Sequence, residues 1–126
     1  MGKGKYLIDA CVLIDYQDSD LSILTLAAKV LGPIHVLPKV ATEADSDESL
    51  WESAGLKIIE PTLTIAKKAA NKRGQLSFED RLTLLVAKSD LYTCITNDRA
   101  LRAACEKENV SMMWGLELMV KLVENR

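Results

Sequence analysis

The 126 residues are enough for one compact domain, expected to occupy 1–126 without a linker or repeat. Hydrophobic residues make up 48% and charged residues 27%, a globular balance, and no apolar run is long enough to cross a bilayer. The formal net charge of −2 does not advertise nucleic-acid binding, so any such binding has to use a local patch or bound cations.

The chain alternates short strands with longer helices. The basic N-terminus leads into an apolar run at 5–8 that is too short for a signal peptide and stops at Asp9. The expected location is therefore cytoplasmic. Helical periodicity over 20–31 follows Leu21, Leu24, Ala28 and Leu31, with Asp18, Ser19 and Asp20 offering cap chemistry and Gly32-Pro33 a stop. Residues 34–37 predict a second strand, and Pro38 suits the first turn of a helix. A third strand is expected at 56–59, and helices at 62–73 and 77–88. Residues 92–95 form a β-rich run ahead of Thr96-Asn97-Asp98. A helix over 98–107, a strand over 110–114 and a helix over 115–123 complete the pattern. Strands separated by helices predict a parallel sheet covered on both faces, with ligands beyond the carboxyl ends of its strands.

Cysteine and histidine usage narrows the chemistry. Cys11, Cys94 and Cys105 are odd in number and lack a C-x-x-C spacing, which argues against a disulfide framework or a zinc site. The only histidine, His35, lies in an apolar segment and reads as structural.

Four acids fall at the carboxyl end of the expected sheet. Asp9 ends the first strand and Asp98 follows the fourth. Glu43 lies in the helix after the second strand, and Asp80 in the first turn of the helix at 77–88. Each has a plain structural account: Asp9 holding turn amides, Glu43 solvated, Asp80 in a capping box with Ser77, Asp98 at the positive end of a helix. As a group they repel one another unless some protonate or a divalent cation neutralises them. All-oxygen donors favour Mg²⁺ or Mn²⁺ over zinc, and the chemistry implied is phosphodiester hydrolysis.

Four short segments carry a family resemblance. Leu7-Ile-Asp9-Ala-Cys-Val-Leu-Ile14 looks like the first motif of PIN domains, and Leu37-Pro-Lys-Val-Ala-Thr-Glu43 is similar to the second. Leu76-Ser-Phe-Glu-Asp80 looks like the third, and Thr93-Cys-Ile-Thr96-Asn-Asp98-Arg-Ala-Leu101 like the fourth. In this order the chain resembles the PIN-domain family, including the toxins of VapBC-type toxin–antitoxin pairs. The resemblance implies a three-layer α/β fold with a parallel sheet of about five short strands. It implies a metal-dependent endoribonuclease, with Asp9, Asp80, Asp98 and Glu43 as ligands to Mg²⁺ or Mn²⁺, Glu43 alternatively orienting water, and Thr96 bonding within the cluster. An RNA substrate, a homodimer and an antitoxin partner are the implied associations. One departure stands in the first motif, where Cys11 replaces a better hydrogen-bonding residue and leaves Asp9 to be oriented by other groups.

Arg81, Arg99 and Arg102 are candidate RNA contacts because they neighbour the acids, although Arg102 could instead pair with Asp98 one turn away. Lys67, Lys68, Lys72 and Arg73 could grip phosphate but read first as a solvated face. Trp114 is expected in the core or an interface, with base stacking as its other use. Trp51, within the acidic stretch around Asp45, Asp47 and Glu48, is expected to anchor a partner. A non-catalytic PIN-like module binding RNA or protein remains the alternative function. A phosphoacceptor receiver domain fits poorly, because one acid rather than a pair ends the first strand.

Overall fold

The computed structural model describes residues 4–44, 48–71 and 74–125. Five strands form one parallel sheet: β1 (Tyr6–Ile8), β2 (Ile34–Val36), β3 (Lys57–Ile58), β4 (Thr93–Ile95) and β5 (Met112–Met113). Their spatial order is β3-β2-β1-β4-β5. The central strand pairs Tyr6 with Ile34 on one side and with Thr93 on the other. Every residue of β1 and β2 is buried, which requires cover on both faces and explains why these strands are apolar runs rather than alternating ones. The expected α/β class and five-stranded parallel sheet are borne out.

Among the described residues, eight helices surround the sheet: α1 (Ala10–Ser19), α2 (Ser22–Val30), α3 (Pro38–Ala44), α4 (Glu48–Ser53), α5 (Leu63–Ala70), α6 (Phe78–Asp90), α7 (Arg99–Lys107) and α8 (Gly115–Glu124). α2 packs on α8, while α5, α6 and α7 form a second packed set. Local chemistry places their starts. The hydroxyls of Thr62 and Ser77 accept from the backbone N–H of Ile65 and Asp80, capping α5 and α6. Lys72 and Arg73 of the expected basic cluster, and Asp45 and Asp47, lie outside the described residues.

The segment after Asp9, for which no element was assigned from the sequence, is a helix, α1, whose Ala10, Val12, Leu13 and Tyr16 are buried against the core. One expectation needs correction. Trp51 is no partner anchor: α4 turns it inward, it is fully buried, and its Nε1–H donates to the Ala41 carbonyl at 3.1 Å. Ser49, Glu52 and Ser53 are exposed on α4 while the indole fills the core. His35 is structural as expected, its Nδ1 3.3 Å from the Tyr6 carbonyl and its ring edge-on to Tyr92.

Candidate functional site

The strand order reverses direction at β1. The chain steps from β1 to β2 and β3 on one side, then crosses to β4 and β5 on the other. The crevice beyond β1 and β4 is the switch point where open α/β sheets bind ligands. Asp9 and Thr96 are the first residues past those two strands. The Asp9 N–H donates to the Ile95 carbonyl at 2.9 Å, and the Thr96 N–H to the Met113 carbonyl at 3.1 Å, so ladder bonds fix both backbones.

Side chains then knit the crevice together. The buried Thr96 hydroxyl donates to Asp9 Oδ2 at 2.8 Å and accepts from the Asp98 N–H at 3.1 Å. The exposed Cys11 thiol donates to the same Oδ2 at 3.4 Å. Thr96 thus supplies the orientation that Cys11 supplies only weakly. Asp98 caps α7, its Oδ1 accepting from the N–H groups of Ala100 and Leu101 at 2.8 and 3.2 Å. Its structural role is real, and it leaves Oδ2 for another partner.

Asp80 reaches the same crevice from α6. Burial, then the charges of Asp9 and Asp98, push its carboxyl up from 3.8 to about 6, against a smaller opposing bond from Ser77. Three of the four expected acids therefore act on one another. Among the described residues the ion pairs Lys39–Glu79 and Lys88–Glu108 touch none of the three.

Glu43 stands apart. It is exposed on α3 and lines a pocket of about 250 Å³ with Lys39, Thr42 and Glu79, and it is not among the charges acting on Asp80. Among the described residues, no three acid, histidine or cysteine side chains close into a preformed metal cage. Oxygen donors that repel one another across a crevice, without closing on it, suit a hard cation that keeps several waters. The residues present fit Mg²⁺ or Mn²⁺ on that basis.

The basic candidates divide. Arg81 is committed to the frame: its Nε–H donates to the Ala69 carbonyl at 2.6 Å and Nη1 to the Leu76 carbonyl, tying α5 to the start of α6. Arg99 is exposed at the first residue of α7. Arg102 does not pair with Asp98. Its Nη1–H donates to the Thr96 carbonyl at 3.1 Å, and its guanidinium lies 3.5 Å from the centroid of the Trp114 ring. Trp114 is neither core nor strand; it follows β5 as the N-cap of α8 and is 44% exposed. That stack joins residues 12 positions apart on different elements, α7 and the start of α8.

A parallel five-stranded sheet with carboxylates gathered at its switch point defines an α/β domain with an all-oxygen acidic centre. The fold is that of PilT N-terminus, or PIN, domains. The chain is similar to a PilT N-terminus domain protein from the archaeon Sulfolobus solfataricus P2, with a TM-score of 0.65 and 14% identity over 97% of this chain and 96% of that one. It is also similar to the crystal structure of PAE2754 from Pyrobaculum aerophilum, with a TM-score of 0.63 and 22% identity over 96% of each chain. No family model matches the sequence, and neither does any curated protein.

Proposed function

We propose that this chain is a metal-dependent endoribonuclease, with Asp9, Asp80 and Asp98 holding Mg²⁺ or Mn²⁺. The observation that carries the reading is the convergence of these three acids at the switch point of a PIN-type sheet, felt at Asp80 as charge repulsion. A divalent cation, when bound, supplies Lewis acidity and charge neutralisation for attack by water on a phosphodiester. Asp9 is held for that task by Thr96 through Oδ2, and Oδ1 is the atom that would be left to a cation. Asp98 is likewise held by its α7 amides through Oδ1. Glu43, exposed and not among the charges acting on Asp80, is assigned to water or substrate rather than to direct metal contact.

The test incubates the purified chain with single-stranded and structured RNA in Mn²⁺, Mg²⁺ or EDTA, beside Asp9→Asn. Cleavage that needs metal and is lost in the variant supports the reading. Metal-dependent stabilisation with no cleavage favours the non-catalytic PIN-like module instead. Growth arrest on expressing the parent but not Asp9→Asn would extend the reading to a toxin with an antitoxin partner. The exposed Leu116, Val120 and Val123 of α8 support self-association, which light scattering of Val120→Glu against the parent would test. No helix among the described residues is long and apolar enough to cross a membrane.

A further inference from the structure

On the nuclease reading above, we infer that Arg102 and Trp114 form a base-stacking platform that seats single-stranded RNA beside the acidic site. Position is the first ground. The Thr96 N–H bonds to the Met113 carbonyl, so the next residue, Trp114, leaves the sheet at the same end as Thr96 and Asp9. The second ground is exposure without a structural need. The start of α8 is already fastened by backbone donors: the Trp114 N–H to Glu117 Oε1 at 2.9 Å and the Gly115 N–H to Asn97 Oδ1 at 2.9 Å. Any residue at 114 other than proline would make the first bond. The indole is not required for the cap, and 44% of the residue stays open although Arg102 covers one ring face; the other tryptophan, Trp51, is fully buried.

The third ground is the state of Arg102. Its guanidinium is pinned by the carbonyl of the residue whose hydroxyl holds Asp9, and lies over the indole at 3.5 Å from its centroid. Among the described residues it enters no ion pair. A pinned planar cation on an open aromatic ring presents what an unpaired nucleotide offers partners for: a π-face for the base and positive charge for the phosphate. Stacking requires a base that is free of a duplex, so the platform selects single strands. Stacking strength, rather than base edges, sets its preference, which favours adenine over uracil modestly.

The test measures binding in the Asp9→Asn background with Mg²⁺, so that RNA is not consumed. Fluorescein-labelled oligoadenylate, oligouridylate and an abasic oligomer of equal length are titrated, following anisotropy and tryptophan emission. Oligoadenylate is expected to quench Trp114 emission and to bind Trp114→Ala roughly 5- to 150-fold more weakly, the loss per stacked base. Trp114→Tyr should recover most of that affinity, and the abasic oligomer should bind the parent and Trp114→Ala alike. Arg102→Lys keeps charge but loses the planar stack, so it should lose part of the base-dependent affinity. Thermal melts establish that each variant is folded.

Equal binding of oligoadenylate by the parent and Trp114→Ala overturns the platform, as does failure of any oligomer to bind. A parent dimer converted to monomer by Trp114→Ala with unchanged RNA affinity overturns it too, by assigning the indole to a second copy. Base-dependent binding through Trp114 in a chain that cleaves nothing would leave the platform standing and remove the nuclease reading. Metal-dependent cleavage whose KM is unmoved by Trp114→Ala would do the reverse.

Discussion

Glu79 and Asp80 are adjacent in the first turn of α6, yet their carboxyls are driven in opposite directions. Glu79 is lowered by its own backbone N–H and by Lys39, whose ammonium lies 3.2 Å from Oε1. Asp80 is raised by burial and by Asp9 and Asp98. One residue of helical rotation separates a neutralised surface acid from one left in a crevice of like charges. Helix-start chemistry therefore accounts for the presence of acids here, but only the partners reached by each side chain separate scaffold from candidate site.

The largest test of this contrast is Asp9→Asn, expected to reduce metal-dependent RNA cleavage by at least about a hundredfold, since it removes a direct donor rather than an outer partner. Thr96→Val, which strips the buried Asp9 of its best donor, should cost roughly 10- to 100-fold in activity and about 1–3 kcal/mol in urea unfolding. Glu43→Gln should fall well short of both in the same cleavage assay, because Glu43 is exposed and not among the charges acting on Asp80.

Asp80 sharpens the contrast through pH. Its folded pKa of about 6 lies above the ordinary 3.8, so stability is full below about pH 4 and declines as pH rises through 6. Asp80→Asn should abolish that decline and, after allowance for solvent screening, stabilise the metal-free chain by about 1 kcal/mol at pH 7 in thermal melts. The smallest effect is expected of Glu79→Gln. It breaks an exposed pair with Lys39 and should cost no more than about 0.5 kcal/mol in the same melts.

Much of the fold was legible because strand and helix periods differ and because Gly32-Pro33, Thr62 and Ser77 punctuate them. Asp9, Asp80, Asp98 and Thr96 were legible as chain-order motifs, and the structure brings all four into one crevice. What stayed hidden depends on rotation and long-range pairing. α1 was assigned no element from the sequence, its apolar residues following β1 without a cap or stop signal of their own. Trp51 looked exposed because its neighbours are acidic, although a short helix hides one face however polar the other. Helical spacing offered Arg102 a pairing with Asp98 as its plain alternative, but the indole of Trp114 and the Thr96 carbonyl hold it elsewhere. No local pattern announces a contact made across two strands.

The bond from Thr96 to Asp9 joins residues 87 positions apart. A chain still being synthesised has β1 with Asp9 long before β4 exists to complete the crevice. Closing so long a loop comes late and at high entropic cost, with β1 awaiting one of its two neighbours until then. The acids consequently cannot gather in an N-terminal fragment that lacks β4, and on the nuclease reading activity is expected to arrive only with the pairing of β4. Slow exchange at the Thr96 amide and the onset of activity during refolding should therefore share one rate.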